Sequence, residues 1–280
     1  MIRGRASALA VALAGIIIGF GVPASAGLIA LTDGTSTMEL DPTSSAGVSS
    51  WGIGEVSHLS QQWFWFRTDL DGFNTREYSI DELDDTPDIL YLPALPNFAR
   101  VTYSDGRIEI EVTYILVGGG ARSSDLAEVI GITNLTGAEI TVDFFQFSNF
   151  NLGGTGPDDL VDIVGGNTSF QSDFSSGVTV AETIVSRTPE LSEVGTGTQT
   201  LAKLQDGDID DLDGTSGSIG PSDLTWAFQW KNRSIPAGHS LLISKDKVIE
   251  SAPGDEPVAE PGALGVAFIA ALAARRRRRS

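Results

Sequence analysis

The sequence predicts an all-β protein, a single antiparallel β-sandwich, on three observations. Strand-like alternation of apolar and polar residues recurs along the chain, turn-forming residues separate those stretches, and no amphipathic helix of useful length appears. Many short strands at fairly regular spacing favour two packed sheets, while the lack of a repeat of fixed period argues against propellers and solenoids.

Residues 1–26 precede the sandwich. Arg3 and Arg5, an apolar stretch from Ala6 to Val22, the helix breaker Pro23 and the small-residue site Ala24-Ser25-Ala26 have the layout of a secretory signal peptide. Cleavage is expected between Ala26 and Gly27, leaving a β domain over residues 27–250. The two basic residues of the leader and five near the C-terminus account for seven of 18, so 11 bases face 37 acids in the body, a charge near −26. Such a surface repels phosphate backbones and excludes nucleic acid as a partner. The chain has no cysteine, so disulfides, thiolate metal sites and thiol catalysis are excluded and an apolar core must carry the stability.

The first marked strand is QQWFWFR, where Trp63 and Trp65 share one face and Phe64 and Phe66 the other. Next come two strands, Phe98–Tyr103 and Arg107–Leu116, joined at Asp105-Gly106, a tight hairpin signal because glycine accepts positive φ. In the second of these Ile108, Ile110, Val112, Tyr114 and Leu116 fall on one face. A further hairpin is expected between Leu126–Thr133 and Glu139–Phe147 across NLTGA. Within the latter strand the apolar pattern slips near Phe144-Phe145, which predicts a bulge or burial of both faces. Later strands are expected at Val178–Val185, Leu224–Trp230 and Ser240–Ile243, and LTWAFQWK places Trp226, Phe228 and Trp230 on one face.

Two constellations are candidate binding sites. Trp63, Trp65, Trp226 and Trp230 are candidates to stack sugar rings, although filling the core is the stronger expectation for rings that neighbour other apolar residues. In LQDGDIDDLDG, Asp206, Asp208 and Asp210 alternate as in the opening of a calcium loop. The EF-hand pattern then fails, since Asp211 replaces its glycine and Gly217 its bidentate glutamate, so a solvated acidic loop is the stronger expectation. Calcium is therefore the one candidate cofactor, and otherwise none is expected. The chain has two histidines, His58 and His239, and neither a G-x-S-x-G elbow nor an H-E-x-x-H pair. Carboxylates for glycoside hydrolysis need proximity in space only, so sequence cannot select a pair among so many. Without a complete catalytic motif the body is expected to be non-catalytic. A carbohydrate-binding module, assisted by calcium, is the second reading and an exopolysaccharide-active glycoside hydrolase the third.

From Ser251 the composition shifts to a Pro-, Gly- and acid-rich linker over 251–259. Glu260-Pro261 then leads into thirteen apolar residues, Gly262 to Ala274, and into Arg275, Arg276, Arg277, Arg278 and Arg279. As a helix the apolar run is about 20 Å long, short of a ~30 Å hydrocarbon core. Glu260-Pro261, the short apolar run and the arginine cluster resemble the PEP-CTERM sorting signal of secreted bacterial proteins, with Ala259 where the motif has its first proline. The stretches HLSQQWFWFR, SSDLAEVIGITN, FFQFSNFNLGGT and WAFQWK also resemble a secreted group that carries this tail, which implies a β architecture and no mechanism. The PEP-CTERM resemblance implies transient insertion in the inner membrane of a Gram-negative-type bacterium, arginines inward. It further implies recognition of residues 260–280 by an exosortase and delivery to the envelope or matrix, where exopolysaccharide is a candidate partner.

Overall fold

The computed structural model describes residues 27–154, 158–215 and 217–251. Ala24, Ala26, the linker past Ser251 and the sorting signal lie outside the described residues. Among the described residues no helix is long and apolar enough to cross a membrane.

The chain opens with β1 (Ile29–Asp33), β2 (Ser36–Asp41), β3 (Gly47–Ile53) and the short β4 (Val56–Ser57), then the aromatic β5 (Leu59–Thr68) and β6 (Tyr78–Ser79). A meander follows through β7 (Asp88–Tyr91), β8 (Phe98–Ser104), β9 (Ile108–Gly118) and β10 (Ser123–Asn134). Next come β11 (Ile140–Phe150), β12 (Asp159–Val164), β13 (Thr168–Asp173), β14 (Thr179–Ser186) and β15 (Leu191–Thr196). A one-to-two-turn helix α1 (Gln199–Gln205) precedes β16 (Gly217–Ser222), β17 (Leu224–Ile235) and β18 (Ser240–Glu250).

These strands form the sandwich that the sequence predicts. The first sheet runs β1-β2-β3-β5-β11-β17-β15, with β4 on β3 and β6 on β5; the second runs β16-β12-β13-β14-β18-β10-β9-β8-β7. Pairing is antiparallel except where β3 meets β5 in parallel. The β8–β9 hairpin forms as expected, with Tyr103 opposite Ile110 and Gly106 at φ 83° in its turn. Alternation along β9 buries Ile108, Ile110, Val112, Tyr114 and Leu116 against the first sheet.

One expected pairing is corrected. β10 and β11 do not form a hairpin: β10 lies between β9 and β18 in the second sheet, β11 between β5 and β17 in the first. The NLTGA segment carries the chain across the sandwich. Its corner is fixed by Asn134, whose Nδ2 donates to the carbonyls of Ala138 (2.7 Å) and Ile235 (2.8 Å) while Oδ1 accepts from Thr136 N (2.9 Å). A turn of this length cannot distinguish a hairpin from such a crossing, because the outcome depends on partners far along the chain. The slip near Phe144-Phe145 does appear, as a register shift against β17 between Val142 and Phe144, and both faces there are buried.

The core is aromatic. All five tryptophans are buried, and Phe150 stacks on Trp226 with ring centres 5.1 Å apart and planes 1° from parallel. Phe64 and Phe144 stack at 5.6 Å within the same core. Rings of this size each bury on the order of 150–250 Å², so they provide much of the apolar burial that a cysteine-free chain needs.

Candidate active site

β5, β11 and β17 lie side by side at the centre of the first sheet, and their register builds the site. Gln62, Phe64 and Gln146 approach the second sheet, so the alternate residues Trp65, Arg67, Asp143, Phe145, Gln229 and Lys231 present the opposite face. Arg67 stands opposite Asp143, and Trp65, Phe145 and Gln229 form the adjoining row. The Arg67 guanidinium lies 5.4 Å from the centre of the Phe145 ring, which gives the cation an aromatic floor.

Two chain segments close over this face. Before β6, Glu77 ion-pairs with Arg67 and its Oε1 accepts from Asp210 N at 3.1 Å. From the segment after α1, the Asp210 carbonyl accepts from Arg67 Nη1 at 2.5 Å, and Asp211 Oδ1 lies 2.6 Å from Arg67 Nη2. Asp143 Oδ2 lies 2.6 Å from the same Nη2. Gln229 donates to Asp211 at 2.7 Å and accepts from Leu212 N at 2.9 Å, and Lys231 Nζ sits 2.6 Å from Asp211 Oδ2. Beside this network Glu193 holds Thr200 (2.9 Å) and Lys203 (2.7 Å), and Lys203 reaches Asp213 at 2.8 Å.

The environment separates the carboxyls. Burial pushes the Glu77 carboxyl up, outweighing Arg67 and the Asp210 amide. Burial also acts on Asp211, yet hydrogen bonds from Lys231, Gln229 and Arg67 overcome it and bring that carboxyl down to about 2. Burial opposes the charge of Arg67 as well, and Asp143, Asp211 and Glu77 together leave its pKa raised. Arg67 therefore holds one carboxyl shifted toward its neutral form and another firmly ionised.

Trp63, Trp65, Trp226 and Trp230 are all buried, which corrects their candidacy as sugar-stacking residues. Trp63 Nε1 donates to Ser79 at 2.7 Å, Trp226 Nε1 donates to Glu182 at 3.1 Å, and Trp230 Nε1 bonds the Arg187 carbonyl. Asp210 lies near Asp206 and Asp208, but among the described residues no three acidic or histidine side chains group as metal ligands. The acidic loop is instead pinned to the first sheet by Arg67, Lys231 and Lys203 through Asp211 and Asp213. His58 is buried, its pKa lowered by that burial, and its Nδ1 accepts from Gly153 N at 3.0 Å, a structural role.

Sequence reasoning missed Arg67, Glu77, Asp143 and Glu193. The available signal was Arg67 itself, a cation closing the aromatic run WFWF in a strand buried on both faces. Its partners come from strands and loops up to 144 residues away and leave no local signature.

No protein-family model and no curated protein matches this sequence. Solved structures do share the fold. A putative aldose 1-epimerase from Escherichia coli K12 superposes with a TM-score of 0.55 at 8% identity, over 81% of this chain and 99% of that one. The aldose epimerase homologue from C. elegans gives 0.53 at 9%, over 81% and 99%. A bacterial glucoamylase gives 0.56 at 11% over 83% of this chain, which spans only 33% of the glucoamylase. The sandwich thus shares its fold with both aldose-epimerase structures over nearly their whole length and with about a third of the glucoamylase. This likeness overturns the expectation of a non-catalytic body, which rested on the lack of a sequence motif.

Proposed function

We propose that this protein is a carbohydrate-active enzyme working at the anomeric carbon of a sugar, with Glu77 and Asp211 as its acid–base pair. The observation that carries the reading is that one guanidinium, Arg67, holds two carboxyls displaced in opposite directions. Opening an aldose ring needs one group to protonate the ring oxygen while another takes the proton of the C1 hydroxyl. A carboxyl shifted by burial toward its neutral form and one held ionised fit those two roles. Likeness to a putative aldose 1-epimerase and to a mutarotase-related enzyme from Lactobacillus acidophilus supports the substrate class.

Asp211 is at the rim, whereas Glu77 lies under the backbone of Asp210. Substrate entry therefore requires the 208–213 segment to lift. Gly207 and Gly214 flank it at φ 91° and 72°, and both meet open space or ordinary contact distances. The leader-like residues 1–26 and the tail from Glu260 support a place of action outside the cytoplasm, with exosortase sorting to the envelope or matrix and exopolysaccharide as the source of sugar.

The test is exchange spectroscopy of anomer interconversion on a panel of aldoses and reducing oligosaccharides, with cleavage followed in parallel. Acceleration by the wild-type chain that is lost in Glu77→Gln and Asp211→Asn supports the reading. A panel showing neither faster anomer exchange nor cleavage overturns it.

A further inference from the structure

The middle of the sandwich holds a second cluster that the proposed site does not use. Along β18 the alternation that buries Ile243 and Ile249 also places Lys245 and Lys247 inward, and both are fully buried. Glu128 on β10 stands opposite Lys245, and Glu182 on β14 stands opposite Lys247; both glutamates are at 0% exposure. Gln62 and Gln146 descend on them from the first sheet.

Lys245 Nζ lies 2.6 Å from Gln146 Oε1, 2.6 Å from Glu128 Oε2 and 3.4 Å from Glu182 Oε1. Gln146 Nε2 donates to Glu182 Oε2 at 2.8 Å and to Ser148 Oγ at 3.0 Å. Trp226 Nε1 donates to the same Glu182 Oε2, and Glu182 Oε1 is buried with no hydrogen-bond donor. Glu182 thus touches both the amine of Lys245 and the amide nitrogen of Gln146. Lys247 differs: it is held by Glu128 (2.5 Å) and Gln62 Oε1 (2.8 Å), and the Gln62 Nε2 atom has no partner.

We propose that Lys245 and Gln146 are a self-modification site, joined by an intramolecular isopeptide bond that forms inside the folded sandwich with Glu182 as the proton carrier. Glu182 Oε1 takes one proton from the Lys245 ammonium, and the free amine attacks Cδ of Gln146. The C–Nε2 bond breaks, Nε2 leaves as ammonia with a proton relayed from Nζ by Glu182, and Glu182 ends protonated. Five protons and zero net charge are conserved among the three groups, with no oxidant or co-reactant. Burial favours the neutral amine, bringing Lys245 down to about 8, with Lys247 adding to the effect and Glu128 opposing it. The product replaces one buried ammonium–carboxylate pair with neutral groups. It also ties β18 of one sheet to β11 of the other across 99 residues, a cross-link open to a chain without cysteine.

Peptide mapping of the full chain by mass spectrometry tests this. The expected result is a branched peptide joining the Gln146 and Lys245 segments, lighter than their sum by one ammonia, with no tryptic cut after Lys245. The isosteric variant Glu182→Gln should return the unlinked peptides, and the linked chain should melt higher than this variant. Freshly synthesised chain held in urea should keep its full mass and lose ammonia on refolding. Cleavage after Lys245 in the folded wild type, loss of water in place of ammonia, or an intact link in Glu182→Gln would each overturn the proposal.

Discussion

Arg67 and Asp211 are 144 residues apart in sequence and meet at 2.6 Å above the central strands of the first sheet. The guanidinium is nearly buried, and its fork also serves Glu77, Asp143 and the Asp210 carbonyl. One side chain therefore fastens two covering segments to the sheet and sets the electrostatics beneath them. A planar five-donor cation can do this; an ammonium cannot span the same partners.

Replacing Arg67 by methionine should cost about 3–5 kcal/mol, because it strands buried Glu77 and Asp143 without their cation. Arg67→Lys should recover only part of that loss. Urea unfolding midpoints measure both, and amide exchange should show the 206–213 segment opening in either variant. A loss within about 0.5 kcal/mol, the usual range for surface changes, would mean that Gln229 and Lys231 hold the segment alone.

The pH dependence of anomer exchange has a definite sign. Asp211 is ionised above about 2, so it does not limit the rate at ordinary pH. Glu77 must be protonated to act, and burial raises its pKa, so the rate should fall as pH rises through that raised value. Glu77→Gln should be about 10²–10⁴-fold slower and lack that descending limb. A wild-type rate that rises steadily with pH would assign the acid role elsewhere.

Much of the fold was legible and most of the site was not. Strict alternation over β9 and across Trp63–Phe66 gave the faces directly, since a period of two has one solution once a core exists. β10 and β11 were misjoined because five loop residues say nothing about which sheet receives the next strand. Lys245 and Lys247 were readable in principle, being in phase with Ile243 and Ile249, but a charged residue on an inward phase is ordinarily discounted. Glu77 and Asp211 converge only through Arg67, from segments far apart in the chain, and so belong to no local motif.

Asp125 on β10 and Asp246 on β18 are neighbouring, largely buried carboxyls that act on one another. Burial first, then the charge of Asp246, raises Asp125 to about 8, and burial likewise raises Asp159 to about 7. Groups raised in the folded state contribute their full stability below the unfolded value near 4 and lose it as pH climbs through the folded values. The protein should therefore lose melting temperature progressively between about pH 4 and pH 8 from these groups. Asp125→Asn removes the raised carboxyl, so it should melt a few degrees above wild type at alkaline pH and near it in acid. Parallel melting curves for the two proteins across the range would reject the raised carboxyl.

Asn134 tests the crossing between the sheets. Its side chain is fully buried and makes four hydrogen bonds, two to the carbonyls of Ala138 and Ile235 and two from the amide and hydroxyl of Thr136. Asn134→Ala should cost about 1–3 kcal/mol by leaving buried polar groups without partners. Asn134→Asp is the sharper probe. It keeps the acceptor for Thr136 but loses both donors, and its ionised form would face two carbonyl oxygens. Burial and those dipoles should raise the new carboxyl above its ordinary value, so this variant should be more stable in acid and weaken as pH rises through neutrality. Equal urea midpoints for Asn134→Asp at acid and neutral pH would mean that the corner is solvated, and the sheet crossing would then be held by strand pairing alone.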